Sequence, residues 1–489
     1  MLPGTTVPHL LNPLCISAST EEKQFLDWFK TYTVTKLPGS FLSEFWSRLL
    51  LQTSLSEPAV LHASLALSAV HKVDTAHLRL KDRPVVEQFA LRHYLKALNL
   101  LKTHFSKRDK QSYHVILIAC VVFVALECLR GHIGSARAHI NNGLNIIKEL
   151  NQVPTTKDQS LITVRIPTLA DEWIVEMISR LDLQTRLFGQ HTGQFFCGKE
   201  ERGSIPQKFR NFKDAWSNLD YLTIQVLRLS DINRTNKESR PALNPQSLPE
   251  QREKLLRALK RWNNTWNTSE QALRERIPAI VRQKAVTILR IHHTMTMIMA
   301  ELCLCTGDEM AFDTQDHRFL ELLDLISSIS TGLPREEGPL MPEKGPQGST
   351  TRRGSIVDLG TISPLYFIIT KCRLRHVRHQ AIGLLETYCH RESIWDPVTA
   401  ALVGRKVIEL EERDFYDSFG TPGTETLSSS QDLEACDSIQ PRLPESHRIA
   451  DIEMVLSGNP TQKLFLFGRK HGSQHRSCLA DFDLPSPPL

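Results

Sequence analysis

No C-x-x-C pair occurs anywhere in these 489 residues, although the chain holds ten cysteines. Zinc-built DNA readers need closely spaced cysteine pairs, and none can be assembled here. Cys303 and Cys305 form a C-x-C pair with no second pair to complete a zinc site, so the reading for them is a helix end. A glycine-rich phosphate loop, a dinucleotide fingerprint, a nucleophile elbow and a His-Glu-x-x-His pair are all missing, so no catalytic residue is expected. Charge of one sign is also scarce. A net charge of +5 leaves no whole-chain electrostatic footprint for nucleic acid.

Long apolar runs are short of what a membrane requires. The most apolar stretch, "VILIACVVFVALECL" at 115–129, carries Glu127 and falls below the roughly twenty residues of a spanning helix. It reads as a core helix in which cysteine acts as a small buried hydrophobe. The start, "MLPGTTVPHLLNPL", has no basic n-region, so no secretory signal, no disulfide framework and no membrane are expected. Alternating strand patterns and hairpin signals are missing as well, which makes the fold class all-α.

What is present is helical periodicity. In 85–105, Leu91, Leu95, Leu98, Leu101 and Phe105 recur at steps of three and four, which predicts one apolar face. A nearly all-apolar helix follows over 113–130 and ends at Gly131. A third is predicted after Ser135, with Ala138, Ile140, Leu144, Ile147 and Leu150 inward. Short connections between these three imply packed antiparallel helices. Further helices are predicted near 21–30, 40–50, 57–72, 171–187, 214–230, 249–268, 278–305 and 316–330. Ser363-Pro364 and Asp396-Pro397 each read as an N-cap with proline behind it.

Two stretches rich in proline, glycine or serine divide the chain, and such composition cannot offset its ordering entropy by burial. The expected organisation is an N-terminal tail (1–19), a helical region (20–330), a flexible linker (331–357), a second helical block (358–416), a second linker (417–446) and a C-terminal tail (447–489). Within the first linker, "RRGS" places Arg352 and Arg353 ahead of Ser355, the arrangement basophilic kinases favour. The basic stretch "KCRLRHVRH" (371–379) reads as a solvated helical face partly paired with Glu386, with Val377, Ala381, Leu384 and Tyr388 inward. His62, His71, His93, His104, His132 and His139 lie on predicted helices, where a satisfied structural role is expected rather than a metal.

Four stretches in order carry a family resemblance. "FLDWFKTYTVTKLPGSFLSEFWSRLLLQTSLSEPAVLHASLALSAVH" (25–71), with Trp46 and Pro58, is followed by "ALRHYLKALNLL" (90–101). "CVVFVALECLRGHIGSARAHINNGLNIIKEL" (120–150) then brings His139 and Gly143. The last, 358–412, brings Pro364, Tyr366, Cys372, Arg373, Arg378, Trp395 and Asp396. Together they resemble the helical regulatory region of the fungal zinc binuclear (six-cysteine) cluster transcription factors. The motif positions are expected to be structural. The cluster that such factors carry near the N-terminus is missing from this chain, so zinc is expected only in a cluster upstream, and no DNA-contacting residue is expected here.

The resemblance implies a nuclear regulator of RNA polymerase II transcription that works by contact and not as an enzyme. Its partners would be other transcription factors or coregulators, through homo- or heterodimers, and DNA would be reached indirectly or through a missing N-terminal module. The alternative is a helical interaction scaffold that binds or titrates cluster-bearing factors without DNA contact. An α-helical enzyme using His62, His71 or His139 is the least favoured.

Overall fold

Ser19, expected as the end of the tail, caps the first helix. Its hydroxyl accepts the Glu22 N–H at 3.1 Å while the Glu22 carboxylate accepts the Ser19 N–H at 2.8 Å, a capping box that satisfies two donors left free at a helix start. The computed structural model describes residues 19–150, 161–163, 169–189, 195–197, 205–238, 247–274, 279–332, 354–413, 415–416 and 441–484, except 42, 76–81, 108, 389, 459 and 474. The expected tail at 1–18 and most of the two expected linkers lie outside these residues.

Helix α1 (Thr20–Trp28) runs into a π-helical turn at Phe29–Thr33, and a second π-helical segment (Phe45–Leu50) leads into α2 (Leu51–Ser56). Helix α3 (Pro58–Thr75) packs against α4 (Arg83–Lys107) and α5 (Lys110–Leu129), and α5 against α6 (Ile133–Leu150). Helix α5 is long and apolar enough to cross a membrane by length and composition, yet the fold buries nearly all of it. That all-round apolarity suits a helix surrounded on every side.

The face predicted for α4 is only partly the one the fold uses: Leu98 and Leu101 meet the core, and the other three do not. Leu91, Leu95 and Phe105 are 46%, 50% and 54% exposed, while Phe89, Ala90, His93, Ala97 and Leu101 point inward. Alanines at 90 and 97 let α3 approach closely, and leucine-counting gives small residues and histidine no weight. Helix α6 likewise starts two residues before Ser135, and Leu150 is exposed.

Helix α7 (Leu169–Leu187) is the hinge piece of the architecture. It packs on α5 and α6 on one side and on α8 (Phe212–Glu238) on the other. Helices α9 (Ser247–Arg274), α10 (Ala279–Leu302) and α11 (Asp316–Gly332) complete the second half. The block α12 (Ile362–Lys371), α13 (Arg375–Thr387) and α14 (Pro397–Glu412) closes on α10 and α11. One continuous apolar core runs through all of them, so the molecule is all-α in class.

The segment expected as a C-terminal tail is built differently. Strands β3 (Ile449–Ser457), β4 (Lys463–Lys470) and β5 (Ser477–Asp483) form an antiparallel meander; the other described strands, β1 (Leu161–Thr163) and β2 (Phe195–Cys197), pair in parallel. In β4 the buried Leu464 and Leu466 alternate with half-buried Phe465 and Phe467, so both faces are apolar and no alternation shows. In β3 a bulge between Ala450 and Glu453 breaks the period of two.

Candidate functional site

The stretch 371–379 is partly interior: Cys372, Arg373, Val377 and Arg378 are buried, while Arg375 and His379 keep contact with solvent as expected. Helix α12 ends at Lys371, Cys372–Leu374 run on as non-helical chain, and α13 starts at Arg375. Arg378 is fully buried: Nη2 donates to Glu411 Oε2 at 2.7 Å and Nε to the Ile369 carbonyl at 2.9 Å. Arg373 donates to Glu411 Oε1 at 3.0 Å and to Glu309 Oε2 at 3.3 Å. Glu411 also accepts the Ile449 N–H at 2.9 Å, so one carboxylate ties α12, α13, α14 and β3 together. Burial alone would raise its pKa; Arg373, Arg378 and that N–H outweigh it and hold the carboxyl below its ordinary range. The solvated-face reading is therefore corrected for Arg373 and Arg378, and Glu386 pairs with Arg405 instead. Internally compensated guanidinia offer nothing to a phosphate backbone.

A second buried carboxylate shapes the start of α12. Glu392 accepts the N–H groups of Gly360, Thr361 and Ile362 at 3.0, 2.8 and 2.9 Å. A side chain on residue 360 would collide with this carboxylate, so glycine is required there. Ser363 and Pro364, expected as cap and first residue, lie inside the first turn.

Next to this junction lies a cavity of about 240 Å³. Its apolar lining comes from Leu187 of α7, Leu227 of α8, Met295 and Met299 of α10, and Tyr366 and Phe367 of α12. Ile452 of β3 adds to it. Gly189 stands at its edge with φ +81°, where a Cβ would approach the Ile452 carbonyl oxygen to 2.9 Å, so glycine lets β3 close over α7. Charge enters from Arg186, Asp231, Arg234, Lys371, Asp451 and Arg476. Most of it is held in ion pairs: Arg186 with Asp182 at 2.8 Å, Lys371 with Glu309 at 2.6 Å, Asp451 with Arg469 at 2.8 Å, and Arg476 with Glu453.

Two features mark the cavity as more than a packing fault. Asp451 takes φ +52° at the β3 bulge, a conformation uncommon outside glycine and concentrated at functional positions. Ser363 is 3% exposed and lines the cavity, and its buried hydroxyl has no hydrogen-bond partner among the described residues. Buried polar atoms are almost always paired, so this one fits a hydroxyl awaiting a ligand atom or a water.

The motif residues scatter through this framework. Tyr366 lines the cavity and packs on Trp395, ring centroids 5.4 Å apart, with Phe188 on Trp395's other contact at 4.8 Å. Cys372 is buried, and burial pushes its thiol up to about 12. Asp396 caps α14 by accepting the Thr399 N–H at 2.9 Å, with Pro397 following as the sequence announces. Trp46 is buried, Pro58 opens α3, and Gly143 leaves room for Ile178 where α6 crosses α7. His139 packs at a tilt against Phe123 and meets the Tyr94 hydroxyl. Ser355 is buried rather than in open chain: its N–H and hydroxyl both donate to Asp74, at 2.9 and 3.1 Å. Ser363 was read only as a helix cap, and Asp451 and Arg476 carried no sequence signal, because the strands that complete the cavity were themselves unreadable.

Comparison with known proteins follows this geometry. Residues 24–342, more than half of the chain, match the model of the fungal specific transcription factor domain. Over 102 residues the chain is 33% identical to the aspercryptin biosynthesis cluster-specific transcription regulator atnN of Emericella nidulans, covering 20% of this chain and 17% of that protein. Over 143 residues it is 24% identical to the transcription regulator lscL of Purpureocillium lilacinum, covering 27% and 34%. The matches thus span well under two thirds of either relative. No solved structure matches the chain. With the helical match extending from α1 through α11, the chain belongs to the fungal specific transcription factor domain family.

Proposed function

We propose that the chain is a nuclear transcription regulator whose helical region answers to a small effector bound between α7, α8, α10, α12 and β3. The family and the two named relatives support the regulator. Ser363 supports the effector: an unpartnered buried hydroxyl beside an apolar lining, with the cationic side chains around it already held in ion pairs. The volume lies below the roughly 300–1,000 Å³ of drug-sized sites, so the ligand is metabolite-sized, with an apolar body and an anionic or hydrogen-bonding end. Such a ligand acts by preferring one arrangement of the β3–β5 sheet on α12 over another. The regulator then works through contact with other transcription factors or coregulators, and reaches DNA through them or through a module outside these residues.

Melting of the purified chain against a panel of small carboxylates and phosphates tests this reading. A binder raises the melting temperature, and Ser363→Ala weakens its affinity by about tenfold, the value of one hydrogen bond. In cells, the chain tethered to a foreign DNA-binding module changes reporter output, and the compound shifts that change. A tethered chain that leaves the reporter at its baseline removes the regulator reading.

The scaffold alternative has one observation in its favour. Leu91, Leu95 and Phe105 leave an apolar outer face on α4, the kind of surface a partner helix covers.

A further inference from the structure

Away from the cavity, three helices bring metal-ligating side chains to one point. We propose that Glu22 of α1, His62 of α3 and His93 of α4 form a binding site for a first-row divalent cation such as zinc. One ligand atom from each lies within 4.8 Å of the others. The imidazoles already meet, Nδ1 to Nδ1 at 2.9 Å; Glu22 Oε1 stands 3.7 Å from the other nitrogen of His93, Nε2, so the carboxylate has to swing toward the Nδ1 pair to share an ion with both rings.

A hydrogen bond between two imidazole nitrogens holds one proton between two lone pairs. A cation can take that proton's place. Metal–nitrogen distances of about 2.0–2.1 Å in a tetrahedral site put two ligand nitrogens about 3.3 Å apart, so the rings need to part by only a few tenths of an ångström. His62 and His93 face inward from apolar helix surfaces, flanked by Phe89 at 4.2 Å between ring centroids. Leucine at either position would pack there without a polar partner.

Charge and exposure agree. Burial, with Lys96 and His93 beside it, pushes His62 down to about 4, and burial lowers His93 against the pull of Glu22. Both rings are therefore neutral near pH 7, as ligands must be. Glu22 stays ionised below its ordinary range: burial works against it, and the Ser19 N–H, His93 and Lys96 outweigh burial. Its Oε2 is taken by the Ser19 N–H, and Oε1 is left on the His93 side. The Glu22 side chain is 20% exposed, which leaves the site open to solvent for a water as fourth ligand. Two nitrogens and one oxygen suit zinc, cobalt or nickel and not calcium or magnesium, which take oxygen alone. Lys96 is the opposing charge, and it moderates the affinity. A bound ion would pin α1 across the α3–α4 pair.

Cobalt(II) is the probe, because tetrahedral Co2+ reports its ligands in its visible spectrum. The full 489-residue chain, stripped with chelator and loaded with Co2+, retains about one ion that survives gel filtration, with no sulfur charge-transfer band. Glu22→Gln keeps the capping box, since glutamine serves at that position, and removes the anionic ligand. It weakens binding at least about tenfold, as does His93→Gln. Zinc raises the melting temperature of the native chain and raises that of Glu22→Gln less at the same concentration. Retention no higher than in buffer, retention equal in the native chain and Glu22→Gln, or a sulfur band each overturns the site. If His93→Gln does not fold, Glu22→Gln alone decides.

Discussion

Arg378 carries a full positive charge into the interior with no exposed surface, and Glu411 answers it with none either. Two desolvated ions of that kind are costly unless each lone pair and proton finds a partner. Here Glu411 takes Arg373, Arg378 and the Ile449 N–H, and Arg378 spends Nε on the Ile369 carbonyl. Removing one member strands the others. Arg378→Leu is expected to lower stability by about 3–5 kcal/mol, read as a fall in the denaturant midpoint. A cost near zero would show that the junction relaxes freely. None of this was legible in "KCRLRHVRH", where four Lys and Arg residues within nine positions read as a wet helical face. Glu411 lies 33 residues from Arg378 and 38 from Arg373, and no local pattern joins partners at such separations. Asp396 was legible because its cap partner is three residues away.

At the scale of elements, α12 shows why a helix start can be misplaced. Serine followed by proline is the local signal, and it pointed to Ser363. The fold begins α12 at Ile362 instead, because Glu392 brings a carboxylate to three N–H groups at the positive end of the helix dipole. A buried carboxylate meeting several N–H groups outbids a serine cap, and the proline then sits harmlessly in the first turn, where its missing N–H is not needed. Burial works to raise the Glu392 pKa, and His390 with the Ile362 and Thr361 N–H groups more than cancels it. Glu392→Ala leaves three buried donors bare and is expected to lose about 2–4 kcal/mol, with desolvated donors costing about 1–3 kcal/mol each in part shared with incoming water. Hydrogen exchange at 360–362 checks the assignment: it accelerates selectively in the variant, and uniform acceleration across α12–α14 would mean the carboxylate supports the block and not the helix start. Helix α4 went wrong for a related reason. Periodicity located the helix, but the inner face is chosen by what α3 can accept, and that choice favoured Ala90, His93 and Ala97 over Leu91 and Leu95.

Across the whole molecule, helical layers meet at α7, and the meeting point is charged. Arg180 of α7 donates to Asp220 of α8 at 2.8 Å, to Asp358 ahead of α12 at 3.4 Å, and to Glu176 one turn back at 3.5 Å. One guanidinium cannot neutralise three carboxylates. The class of the fold and the order of its helices were readable because amphipathic periodicity is local; this node was not, since its members lie in three separate segments. Burial pushes Asp220 up to about 7 against the pull of Arg180, with the charge on Asp358 adding to the rise. The unfolded chain releases that proton near the ordinary 3.8. The group's contribution to stability is therefore fully present below about pH 4 and declines as pH rises toward about 7, because the native state holds a proton the unfolded chain has given up. Buried histidines such as His292 and His293, lowered to about 4 mainly by burial, act in the opposite sense below their ordinary 6.5, so the profile of the native chain alone mixes both. The difference between the native chain and Asp220→Asn isolates the carboxyl. Asparagine can still accept from Arg180 Nε and cannot ionise, so the melting temperature of the native chain should fall relative to that of Asp220→Asn between pH 5 and pH 7.5. Melting curves that run parallel over this range would place the Asp220 proton elsewhere and leave α7 and α8 joined by a permanently ionised pair.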